Sequence, residues 1–189
     1  RGSLNDDLIV TDKVRAAGLK VIYEPHCLAV SPVDFDFPAM LEFTRRQYFQ
    51  VRIYTPRWWW LALVAAALVT GLYVASAVLT VTWMIFGGPF LVPVACAAAY
   101  YAVAAIRTRL RQQTMRPFLK LDSSQFRKIS RFEVVATPLT ALFHWVAVVS
   151  SAFGRRIVWR GIHYYVAGRN ETRIEARPVN AKPDVAEAA

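Results

Sequence analysis

Residues 58–86 contain no ionisable side chain apart from the phenol of Tyr73. As a helix this stretch reaches roughly 43 Å, against a hydrocarbon core of about 30 Å, so it predicts a membrane span rather than a buried soluble helix. Trp58-Trp59-Trp60 at one end and Trp83 at the other stand roughly 34 Å apart on such a helix, which predicts an aromatic belt at each interface. Composition agrees. Of 189 residues 56% are hydrophobic and mean hydropathy is +0.29, more apolar than a water-soluble chain usually is.

Gly87-Gly88-Pro89 interrupts the run, and residues 90–106 form a second apolar stretch of about 26 Å, near the lower limit for a span. The pair predicts a hairpin over 58–106. Its tip is uncharged, whereas Arg45, Arg46, Arg52 and Arg57 precede it and Arg107, Arg109 and Arg111 follow it, so the positive-inside rule predicts both ends in the cytoplasm. The formal charge of +10 belongs to these flanks, without the aromatic interleaving of a nucleic-acid surface. Anionic lipid headgroups, not nucleic acid, are the expected partner.

Over residues 107–133 basic side chains alternate with Leu110, Met115, Phe118, Phe126, Ile129 and Phe132, a mixture suited to a helix in the headgroup plane or to a solvated loop. Residues 134–153 form a third apolar stretch of minimum spanning length, with Pro138, His144 and Ser150-Ser151 inside it. Both its flanks are basic, so a crossing, a re-entrant hairpin and an interfacial helix all remain open.

The ends read differently. Asn5 is a good helix N-cap, Asp6 and Asp7 follow in the first turn, and Gly18 closes the helix before Leu19-Lys20-Val21-Ile22-Tyr23, which predicts a short strand. A helix followed by a strand is a unit of an α/β domain. Beyond the last apolar stretch, Ile157-Val158-Trp159 and Tyr164-Tyr165-Val166 flank Gly161 and predict a hairpin, and after Arg173 the composition predicts disorder. The chain opens without Met or an apolar leader, as a piece of a longer protein would. Cys27 and Cys96 are too few for a disulfide framework, and His26, His144 and His163 have no partner at metal-ligand spacing.

Asn5-Asp6-Asp7-Leu8, followed by Thr11, Val14, Arg15, Gly18 and Tyr23-Glu24-Pro25, resembles the third acidic motif of family 2 glycosyltransferases. Glu42-Phe43-Thr44-Arg45-Arg46-Gln47-Tyr48-Phe49-Gln50-Val51-Arg52 is similar to the segment in ceramide glucosyltransferase and its bacterial relatives that carries a Gln/Arg-x-x-Arg-Trp motif. Gln47-Tyr48 stands here where Arg-Trp would. Trp159-Arg160-Gly161, with Tyr164 and Tyr165 after it, resembles the tail that follows the last membrane segment in the same group. The matches run in family order over most of the chain.

The resemblance implies the end of a GT-A-type nucleotide-sugar transferase domain, an α/β fragment, followed by a mainly α-helical transmembrane region. It divides the chain into 1–41 (end of the catalytic domain), 42–57 (arginine-rich juxtamembrane segment), 58–106 (hairpin), 107–133 (interfacial segment), 134–153 (third membrane segment) and 154–189 (cytoplasmic tail). It implies an inverting hexosyltransferase of the bacterial cytoplasmic membrane, acting on a lipid acceptor with a nucleotide-sugar donor. The proton acceptor would be Asp7, with Asp6 beside it. Substrate or diphosphate contacts would come from Arg45, Arg46, Gln47, Arg52, Trp159 and Arg160. The family's Asp-x-Asp metal motif is absent, so a Mg or Mn ion is expected only in the full-length enzyme, with no ligand in this chain, and the fragment alone is expected to be inactive.

Each motif also has a plainer reading. Two acids at a helix start stabilise the helix, and arginines before a span anchor it. The rival function is a non-catalytic membrane module, such as a transporter subunit or scaffold. A solute pathway should show paired intramembrane charges, and neither of the first two apolar runs has any.

Overall fold

A computed structural model describes residues 5–27, 34–119, 122–159 and 161–176. The described chain is mostly helical, with one small antiparallel sheet. Its elements are α1 (Asp6–Ala16), a short 3-10 turn (Pro25–Cys27), α2 (Phe37–Tyr54), α3 (Pro56–Phe86), α4 (Leu91–Met115), α5 (Ser123–Val135), α6 (Thr137–Ser151), β1 (Arg156–Trp159), β2 (Ile162–Gly168) and β3 (Glu171–Ala176).

Helices α3 and α4 are long and apolar enough to cross a membrane, and only 11% of the most apolar window of each is buried inside the protein. Side chains such as Leu68, Val78, Met84 and Val103 point outwards, which is tolerable only where the surroundings are themselves apolar. Gly87 ends α3 in the left-handed region at φ 79°, and the chain turns back into α4. The two helices pack along their length, and the Tyr73 and Tyr100 rings meet edge to face at 5.3 Å.

Two expectations change here, and one that was open narrows. The aromatic belt loses a member: Trp58 and Trp60 are exposed, but Trp59 is 5% exposed and its Nε1 donates to Ser151 Oγ at 2.9 Å. An indole N–H taken out of water needs an acceptor, and α6 supplies it. Helix α4 does not end with its apolar run but continues past Ile106 to Met115, because Arg and Gln are good helix formers. The single interfacial segment expected over 107–133 is therefore the end of α4, a turn and the separate helix α5. The third stretch is α6, whose 15 residues cover roughly 22 Å and do not reach across by themselves. With α5 it forms a pair bent by 72°, the geometry of a broken span or a re-entrant loop.

The strand expected at Leu19–Tyr23 is also absent. Those residues follow α1 without regular structure and pair with no strand among the described residues, and Ile22 is 82% exposed. A β-rich stretch becomes a strand only where a neighbour completes its ladder. The α/β arrangement expected over 1–41 is thus not displayed by the described residues. The expected boundary at 41/42 falls inside α2, which starts at Phe37 with Asp36 Oδ1 accepting from Ala39 N. At the other end β1 and β2 form the expected hairpin, with Ile157 opposite Tyr164 and Trp159 opposite Ile162. A third strand extends the sheet through Ile174 to Ala176, where disorder was expected after Arg173.

Helix α2 holds these parts together. It packs against α3 and α6, and its Phe49 joins Ile157 and Val166 of the sheet in a buried cluster flanked by Ile53 and Tyr164.

The hairpin tip offers a test. A Cβ at Gly88 would lie 2.6 Å from Trp83 Cγ, near the root of that side chain where it cannot swing clear. Gly88→Ala is expected to destabilise the protein by about 1–3 kcal/mol, as overpacking does. In a Trp83→Ala background, which removes the ring but keeps the Cβ at 2.9 Å, the penalty should shrink without vanishing in a double-mutant cycle of detergent melting curves; equal penalties in both backgrounds would show that the ring contact does not shape the turn.

Candidate functional site

Asn5, Asp6 and Asp7 at the start of α1, Arg46, Gln47 and Gln50 of α2 and Trp159 at the end of β1 line one cleft of about 320 Å³. Three segments far apart in sequence meet there. Asn5 caps α1, its Oδ1 accepting from Leu8 N at 2.9 Å, while its Nδ2 donates to Gln50 Oε1 at 2.9 Å. One side chain thus starts the helix and fixes it to α2. A second tie, an ion pair between Asp12 and Arg169 in the β2–β3 turn, holds the middle of α1.

Arg46 is half-buried. Its guanidinium lies over the Phe43 ring at 5.4 Å and the Trp159 ring at 5.8 Å, and it donates no hydrogen bond among the described residues. Burial holds it below the usual arginine range, opposed by Glu42, and a guanidinium so shifted is still charged at neutral pH. The two rings position the guanidinium, and its N–H groups, not spent on hydrogen bonds among the described residues, can receive a planar or tetrahedral oxyanion. Asp6 and Asp7 are exposed, in the first turn of α1. The cleft therefore sets carboxylates and one positioned cation around a space of ligand size.

Of the side chains that the sequence singles out, Asp6, Asp7, Arg46, Gln47 and Trp159 come together, while Arg160 lies outside the described residues. Arg45 and Arg52 do not join them. Arg45 donates from Nε to Ser150 O at 3.4 Å and from Nη2 to Phe153 O at 3.3 Å. Arg52 donates to Ala152 O and, at 2.7 Å, to Gly154 O. These two expected substrate ligands instead hold the C-terminal carbonyls of α6 and the turn after it. The helix period separates the roles: Arg45, Phe49 and Arg52 recur at i, i+4 and i+7 on one stripe, while Arg46 and Gln50 lie roughly 100° around the helix. Asn5 and Gln50, not among the expected contacts, were recognisable by those rules as a cap residue and as the partner one turn from Arg46.

His144 is not isolated either, since its Nδ1 lies 3.0 Å from Tyr48 Oη. Among the described residues no three His, Cys, Asp or Glu side chains converge as a bound metal requires, so the acidic pair has no third ligand there. No protein-family model, curated protein or solved structure matches the chain.

Substituting Arg52 separates the two roles. Arg52→Ala is expected to destabilise the protein by about 1–2 kcal/mol through lost charge-assisted hydrogen bonds. Arg52→Lys should recover less than half of that, since an ammonium cannot fork to two carbonyls. Melting curves in detergent measure both, and an unchanged melting temperature for Arg52→Ala would return this arginine to the candidate ligands.

Proposed function

We propose that this chain is the acceptor-side part of an inverting membrane glycosyltransferase that moves a sugar from a nucleotide-sugar donor to a lipid acceptor. The observation that carries the reading is the single cleft that gathers Asp6, Asp7, Arg46, Gln47 and Trp159, residues picked from three separate motifs. Chance proximity of three unrelated segments is a poor account of that convergence.

The chemistry follows from the groups. An acceptor hydroxyl attacks the anomeric carbon from the face opposite the nucleotide, the bond from that carbon to the diphosphate oxygen breaks, and the configuration inverts. Asp7 takes the hydroxyl proton as the new bond forms. Arg46 and the Gln47 amide hold anionic oxygens of the leaving diphosphate or of the acceptor headgroup. Asp6 supports the carboxylate pair without accepting the proton. Arg45 and Arg52 serve indirectly, by fixing the turn that brings β1 and Trp159 against Arg46.

The α3–α4 hairpin is oriented with both ends cytoplasmic, so the cleft meets a nucleotide sugar on that side while α3 and α4 keep it at the membrane surface. With Cys27→Ser and Cys96→Ala as background, a cysteine introduced as Phe90→Cys at the hairpin tip should react with an impermeant maleimide only from the outer side. Labelling from the cytoplasmic side alone would reverse the topology.

The decisive test of the chemistry is sugar transfer by the full-length protein in nanodiscs. Asp7→Asn keeps shape and removes the basic oxygen, and is expected to lower turnover by a factor on the order of 10²–10⁴. Asp6→Asn, which removes a helix-terminal charge worth about 0.3–1 kcal/mol, should cost far less. Should Asp7→Asn transfer sugar at the unmodified rate, the acidic pair is a helix cap and the non-catalytic module becomes the better reading.

A further inference from the structure

Where α4 leaves its apolar stretch, its last turns and α5 enclose a second cavity, of about 460 Å³, lined by Arg109 and Arg116 on one side and Arg127 and Arg131 on the other. None of its lining residues is acidic. The nearest candidates to neutralise it are engaged elsewhere. Glu133 is held by Arg111 and accepts from Gln112 Nε2 at 2.6 Å, and Asp122 caps α5, accepting from Ser124 N at 3.0 Å. Arg109 and Arg131 make no hydrogen bond or ion pair among the described residues, and Arg116 lies over the Phe126 ring at 5.6 Å. Ser130 Oγ, also from the lining, is buried without a hydrogen-bond partner. Four exposed guanidinium groups around one hollow, of which only Arg127 donates to a carbonyl, Ser123 O at 3.3 Å, repel each other, and an anion held among them relieves that repulsion.

We infer that this cleft binds the phosphate of an anionic membrane lipid. The surroundings favour a lipid over a free anion. Leu110 and Ile106 of α4 are 58% and 59% exposed next to the cleft, and Ile129, Phe132 and Val135 of α5 are exposed beside its arginines. An acyl chain can lie along those apolar side chains while the headgroup enters the cluster, as for a helix in the interfacial plane. The bent α5–α6 pair is thereby fixed at headgroup depth by a ligand rather than by packing alone. The site is separate from the Asp7 cleft and does not depend on the glycosyl-transfer reading.

Native mass spectrometry of the full chain in detergent, titrated with dioleoyl phosphatidic acid or with phosphatidylcholine of the same acyl chains, tests this. Phosphatidic acid should be retained preferentially. Arg116→Gln with Arg127→Gln should weaken its binding about tenfold or more, two cations near an anionic headgroup being worth at least that. Arg116→Lys with Arg127→Lys, which keeps fold and charge, should retain an intermediate affinity. A control pair of equal charge loss away from the spans, Lys13→Gln on α1 with Arg173→Gln on β3, should leave binding unchanged. Equal binding of the two lipids by the unmodified protein, or equal loss in the control pair, would overturn the site. Displacement of phosphatidic acid by inorganic phosphate at equal concentration would overturn the lipid as its ligand.

Discussion

The C-terminus of α6 meets two guanidinium groups, and most of the arrangement depends on that contact. The last carbonyls of any helix lack intrahelical donors and carry the negative end of its dipole. In α6 these groups lie where Arg45 and Arg52 can reach them, with the chain leaving through Gly154 at φ 75°. That turn leads directly into β1, whose Ile157 completes the cluster with Phe49, one turn from each of these arginines on α2. Arg52 also lies over the Phe49 ring at 4.9 Å, so the polar clamp and the apolar plug share a wall. Burial, and after it the neighbouring Arg155 and Arg45, hold Arg52 below the usual arginine range.

How far the sequence foretold this follows from the range of the forces involved. Helices α3 and α4, long and apolar enough to cross a membrane, were legible because their apolar runs are free of charge over that length. The β1–β2 hairpin was legible because Gly161, at φ 78°, sits between two β-branched and aromatic runs. What failed depended on neighbours distant in sequence. Leu19–Tyr23 has the residues of a strand and no ladder partner among the described residues. Glu171–Ala176 has polar, exposed residues and is a strand because β2 pairs with it. Trp59 looked like its neighbours, and only Ser151, far along the chain, draws it inwards.

The arginine-rich helix was misjudged for a different reason. Composition marks Arg45, Arg46 and Arg52 alike, as cations before a span. Only their phase on α2 separates them, since one stripe faces α6 and the sheet and the other faces α1. A resemblance drawn from linear order cannot make that distinction, because a motif names residue types and a helix assigns them directions.

The two sides of the Asp7 cleft are held with unequal strength. Arg46 belongs to α2, whose Phe49 is buried in the core cluster, and lies over Trp159 of β1, whose Ile157 joins that cluster, whereas α1 has no buried residue and is positioned by an amide hydrogen bond and an exposed ion pair. Ties of that kind contribute about 0–1 kcal/mol each. The carboxylates thus sit on the weakly held wall and the cation on the rigid one. A ligand that touches both walls would bind the assembled cleft in preference to one with α1 detached, and by mass action it would stabilise the assembly.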